Sequence, residues 1–69
     1  MTNTELFLKT LKEKNMTQAE LAEKIGMKRQ TLSLKIHNVR EFFPSHINKI
    51  CEVLEITDKD LREAIFFAA

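Results

Sequence analysis

The chain's 69 residues allow one domain with a small core, because a fold of this size buries only about 60% of the surface its unfolded chain exposes. Eleven Lys and Arg stand against ten Asp and Glu, and a net charge of +1 by itself predicts neither a nucleic acid nor a membrane as partner. A single Cys excludes an internal disulfide framework, and no stretch resembles a signal peptide or a membrane span, so a reducing cytoplasm is the expected compartment.

The first element is predicted over residues 4–14, where Leu6, Phe7, Thr10 and Leu11 recur at helical spacing, with Leu8 towards the other side and Thr2 or Asn3 as cap. Next comes "TQAE" at 17–20, a capping box in which the Thr17 hydroxyl and the Glu20 carboxylate satisfy each other's backbone amides. Leu21, Ala22 and Ile25 form the buried stripe of this second helix. Gly26 ends it at the position where a left-handed backbone costs least. Only Ile25 to Lys28 separate it from a third segment with Leu32 and Ile36 inward and Met27 joining from upstream, and so short a turn forces two helices to cross steeply. Asn38 stops that segment, and Pro44 suits the first turn of a fourth with Ile47, Ile50, Cys51 and Leu54 inward. From Thr57, "TDKD" opens a fifth, with acids near its positive end and Leu61, Ala64 and Ile65 inward. Neither a linker nor a repeat interrupts the pattern, so residues 1–69 read as a single domain, an all-α, compact five-helix bundle.

Charge is not spread evenly over these elements. The run from Lys24 to Arg40 holds Lys24, Lys28, Arg29, Lys35 and Arg40 and no acid, while both flanking segments are net negative. Alone, such a run is more often a solvated surface than a binding site. On the second of two helices joined by a tight Gly turn it acquires another meaning, because that is the helix a helix-turn-helix lays in the DNA major groove.

Residues 17–38, "TQAELAEKIGMKRQTLSLKIHN", resemble the helix-turn-helix of the lambda-repressor-like (Xre/Cro-type) family, which includes the phage repressors and Cro proteins. Gln18 opens the first motif helix, Ala22 is the small residue at the helix crossing, Gly26 makes the turn and Leu32 is the core residue of the recognition helix. The motif covers about residues 17–37, and the later helices match the family's five-helix bundle. The resemblance implies double-stranded operator DNA as partner and the helix over about 28–37 as its reader.

Carried onto this chain, the resemblance makes Arg29, Gln30, Ser33 and Leu34 the base-reading residues. Their chemistry suits that role, since Arg29 matches a guanine edge, Gln30 an adenine edge, Ser33 several bases, and Leu34 a thymine methyl. The resemblance also implies phosphate contacts at Gln18, His37, Asn38 and Arg40; charge and position add Lys28 and Lys35. Lys28 stands where the family usually has a Ser or Thr cap, Asn38 where many members have Gly, and Val39 at a position that is often basic.

The tail "EAIFFAA" ends in two adjacent aromatics, Phe66 and Phe67, which cannot both point the same way on a helix. They are the candidate dimer or partner contact, the alternative being that one closes the core while the other lies on its rim. Phe42 and Phe43 read as loop anchors before Pro44, or as a second, smaller contact patch. His37, His46 and Cys51 follow no zinc spacing, so no metal and no cofactor is expected, and Cys51 reads as a small core residue. Without a carboxylate pair, a nucleophile motif or a phosphate-cradling glycine loop, the chain does not read as an enzyme.

The reading that follows is a Cro-like or repressor-like transcriptional regulator of phage or prophage origin, acting in the cytoplasm of a bacterial host, with a homodimer on an inverted repeat. The alternative is a small modulator or antirepressor that binds a partner repressor protein through the same fold. An antitoxin is a third reading, weakened by the lack of a disordered toxin-wrapping tail.

Overall fold

Five amphipathic segments become five helices in the computed structural model, which describes residues 1–69: α1 (Thr4–Glu13), α2 (Gln18–Ile25), α3 (Arg29–Ile36), α4 (Pro44–Val53) and α5 (Lys59–Phe66). Three begin on a side-chain cap that satisfies an otherwise orphaned first-turn amide. Asn3 accepts from the Leu6 amide at 3.1 Å, and Asp58 accepts from the Asp60 amide at 2.9 Å. Thr17 and Glu20 form the complete box, with both bonds at 3.1 Å. The helices α3 and α4 start without a side-chain cap, at Lys28 and Phe43, and α4 has Pro44 in its first turn.

The helix ends share one device. Asn15, Gly26, Asn38 and Glu55 adopt positive φ after α1 to α4, and the next residue's amide reaches back to the helix: Met16 to Leu11, Met27 to Ala22, Val39 to Leu34 and Ile56 to Cys51. This is the bond of the Schellman motif, which favours an apolar residue after the left-handed one. Met16 and Met27 pack on the core and Ile56 is buried, whereas Val39 remains 68% exposed.

The core holds fourteen apolar residues, among them Leu21, Leu32, Ile36 and Ile50, all with no exposed surface. Burying each of these contributes roughly 1.5–3 kcal/mol. α2 packs against both α3 and α4, and α1 against α5. The Phe7, Phe42 and Phe66 rings close one end, with Phe7 stacked on Phe42 at 5.8 Å and Phe66 edge-on to both, at 5.6 and 5.5 Å. Aromatic pairs in these geometries contribute about 0.5–1.5 kcal/mol each beyond area burial.

Residues 1–4 bridge two distant elements. The Asn3 amide donates to the Ile65 carbonyl at 2.7 Å, tying the segment to α5. On the other side Thr2, itself buried, exchanges two bonds with the Asn38 side chain, and the Thr4 hydroxyl donates to the Ile36 carbonyl at 2.7 Å. The end of α3 is thereby held from outside the helix-turn-helix.

Two sequence expectations for α5 are corrected. Ala64 is exposed, because the buried face runs along Ile65 and Phe66 with Leu61 at its edge. Phe66 is only 5% exposed and belongs to the core, so it offers no contact to a partner; Phe67, just past the helix end, is 53% exposed. Leu8 also departs from its expected outward placement, being half-buried against the core.

Candidate nucleic-acid interface

The faces of α3 divide by its 3.6-residue period. Leu32 and Ile36 point inward, which turns residues 29, 30, 33 and 34 outward together. Arg29, Gln30, Ser33 and Leu34 line one shallow depression on the surface, so the four candidate base readers form a contiguous patch. Arg29 and Gln30 are exposed, Ser33 is half-buried, and Leu34 is 36% exposed with its apolar end outward.

The candidate phosphate contacts divide into those that are free and those that are occupied. Gln18 occupies the first position of α2 beside the Thr17–Glu20 box, where the helix carries its partial positive charge. The same box holds the Glu20 carboxyl below its usual range, chiefly through the Thr17 amide and then the Thr17 hydroxyl. Lys28 is exposed at the uncapped start of α3, which leaves the first-turn amides there without a side-chain acceptor. His37 and Arg40 are exposed just beyond the other end of the helix.

Lys35 and Asn38 both make internal bonds, and for the buried Lys35 the expectation of a phosphate contact is corrected. Lys35 is 5% exposed; its Nζ donates to the Glu41 carbonyl at 2.7 Å and lies 4.4 Å from the centroid of the Phe43 ring. The 3.6-residue period already places residue 35 near the buried edge with Leu32 and Ile36, and only its charge suggested otherwise. In Asn38, Oδ1 accepts from the Thr2 amide at 2.8 Å and Nδ2 donates to the Thr2 carbonyl at 2.9 Å, which leaves the second Nδ2 proton of this exposed residue for a phosphate.

Phe43, expected as a loop anchor or a smaller contact patch, and His46 also border this site. Phe43 is 60% exposed, yet its ring faces both Lys35 and, at 5.2 Å, the His46 imidazole. His46 Nδ1 is buried without a hydrogen-bond partner, and burial, reinforced by the nearby Lys35 charge, holds this imidazole below the ordinary value of 6.5. Lys28, Lys35, Arg40 and His46 share the walls of one open cavity with Glu41.

No group of three or more metal-ligating side chains occurs, and no helix is long and apolar enough to cross a membrane. Burial pushes the Cys51 thiol above its ordinary range, away from the reactive thiolate.

A helix with four side chains outward, preceded by a Gly turn and a capped helix, is a helix-turn-helix. The model of the Cro/C1-type HTH DNA-binding domain matches residues 7–66, and the chain belongs to that family. No curated protein and no solved structure matches it. Membership makes the protein a DNA-binding regulator by kind.

Proposed function

We propose that the chain is a Cro-like or repressor-like transcriptional regulator, of phage or prophage origin, that occludes a promoter by binding operator DNA in the cytoplasm of a bacterial host. The observation that carries this reading is the contiguous outward patch of Arg29, Gln30, Ser33 and Leu34 on α3. Arg29 and Gln30 supply the bidentate groups for guanine and adenine, while Ser33 and Leu34 add a polar and an apolar contact. Gln18, Lys28, His37 and Arg40 hold phosphates around the patch and set its register on the duplex. A symmetric dimer would set two such helices about 34 Å apart, matching an inverted repeat. Phe67 is the exposed aromatic available for that contact.

The same exposed Phe67 favours a second reading, a modulator that docks on a partner repressor. Both are tested by titrating purified protein against its own upstream DNA with random DNA as competitor, with and without the neighbouring repressor. Saturable binding by the protein alone, surviving an excess of competitor, supports the operator-binding reading. No binding alone, with the repressor's own complex altered on addition, supports the modulator.

A further inference from the structure

We infer that Lys35 is a positioning residue for DNA contact: from within the recognition helix it fixes the segment that carries Arg40, and it does not meet a phosphate itself. The inference rests on the DNA-binding reading above and deepens it.

Lys35 is the one basic residue of the Lys24–Arg40 run that is buried. An ammonium withdrawn from water is costly unless its protons and charge are met. Here they are met by two groups that lie on either side of residue 42, the Glu41 carbonyl at 2.7 Å and the face of Phe43 at 4.4 Å. Neither is a carboxylate, so the pair of contacts is directed at chain geometry more than at charge neutralisation.

The backbone bonds nearby show what is being held. The Val39 amide donates to the Leu34 carbonyl at 2.9 Å and the Arg40 amide to the same carbonyl at 3.3 Å. Lys35 then captures the carbonyl of Glu41. Residues 39, 40 and 41 are thus tied one after another to the last turn of α3, and Arg40 is fixed on both sides while its own side chain remains exposed. Farther along, Phe43 is the N-cap residue of α4, so the same ammonium also joins the end of α3 to the start of α4. The outer arm of the site, with Arg40, is therefore referenced to the base-reading helix by a side chain that is itself buried.

The test compares Lys35→Met, Arg40→Ala and the double variant, in binding to specific and random DNA at a temperature where all three are folded. Methionine fills similar space without the donor or the charge. The positioning role predicts that Lys35→Met weakens binding by about three- to tenfold in the wild-type background and changes little once Arg40 is Ala, the non-additivity expected of coupled residues. It also predicts, without DNA, faster amide exchange at Val39, Arg40 and the start of α4 with unchanged protection in α1, α2 and α5.

Additive losses from the two substitutions would overturn the inference in favour of an independent phosphate contact. Unchanged exchange across 39–46, or an Arg40→Ala variant that binds as the wild type does, would also overturn it. Failure of the wild-type protein to bind any DNA is a separate result that removes the DNA-binding reading, and the exchange measurement still decides whether Lys35 holds the segment.

Discussion

The two ends of the basic run differ in what they do with their charge. At the start of α3, Lys28 and Arg29 are exposed around an uncapped helix end, with the outward patch of Gln30, Ser33 and Leu34 beside them. At the end, Lys35 is buried on Glu41 and Phe43, and Asn38 is clasped to Thr2. Five like charges in seventeen residues look uniform as text. Helical phase separates them, because residue 35 shares the inward side with Leu32 and Ile36. Charge composition marks a segment, while periodicity decides which of its charges face solvent.

The comparison breaks first if the inner face of α3 is removed. Leu32 has no exposed surface, so Leu32→Ala should cost about 2–5 kcal/mol and leave a domain of this size largely unfolded, read by urea or thermal denaturation. Retention of wild-type stability would contradict the assignment of α3's faces.

Asn38 sharpens the contrast at the other end. Its backbone is left-handed at φ 64° and its side chain makes both bonds to Thr2. Asn38→Gly keeps the backbone and loses the clasp, at a cost of roughly 1–2 kcal/mol. Asn38→Ala loses the clasp and adds left-handed strain of roughly 1 kcal/mol, so it should be the less stable of the two. Equal stabilities would mean that the left-handed conformation is not what selects Asn here.

The uncapped start of α3 offers the opposite sign. Lys28→Ser should stabilise the fold by about 0.5–1 kcal/mol by capping the first turn, yet weaken DNA binding by removing an edge charge. A variant both more stable and tighter-binding would remove Lys28 from the phosphate set. With Lys35 inward, Lys28 and Arg40 are the exposed Lys and Arg assigned to phosphates, and the slope of log affinity against log salt should be about −2 per chain rather than the roughly −3 expected had Lys35 also met one.

Acid should act more gently, through groups whose folded values are depressed. His46 is held below 6.5, so protonation favours the unfolded chain; its neutral form contributes above about pH 6.5, and that contribution is lost as pH falls through the folded value. Glu20 is held below 4.5, and its contribution is present above that pH and lost as pH falls through its own depressed value. Stability should therefore decline in two separate steps on acidification. His46→Gln should abolish the upper step alone; survival of that step in the variant would show that another group causes it.

Most of the fold was legible because it rests on local rules. The five helices fall within about two residues of where spacing, the Thr17–Glu20 box, Gly26 and Pro44 put them, as helix boundaries usually allow. That Arg29, Gln30, Ser33 and Leu34 share one outward face was legible for the same reason. What was not legible depends on contacts between distant residues. Thr2 and Asn38 are separated by 36 positions, and nothing in either residue's neighbourhood predicts their pairing. Phe66 and Phe67 are equivalent in sequence until Phe7 and Phe42 select Phe66. Glu55 and Ile56 gave no sign of a left-handed cap, although the same pattern after Asn15, Gly26 and Asn38 would have pointed to it.

The most direct measurement is the ratio of affinities for the upstream operator and for random DNA, compared among wild type, Arg29→Ala and Arg40→Ala. A sequence-reading α3 predicts that Arg29→Ala loses about tenfold or more on the operator with little change on random DNA, the cost of one bidentate base contact, whereas Arg40→Ala weakens both alike. Equal losses on the two DNAs for Arg29→Ala would contradict the claim that this face of α3 reads sequence.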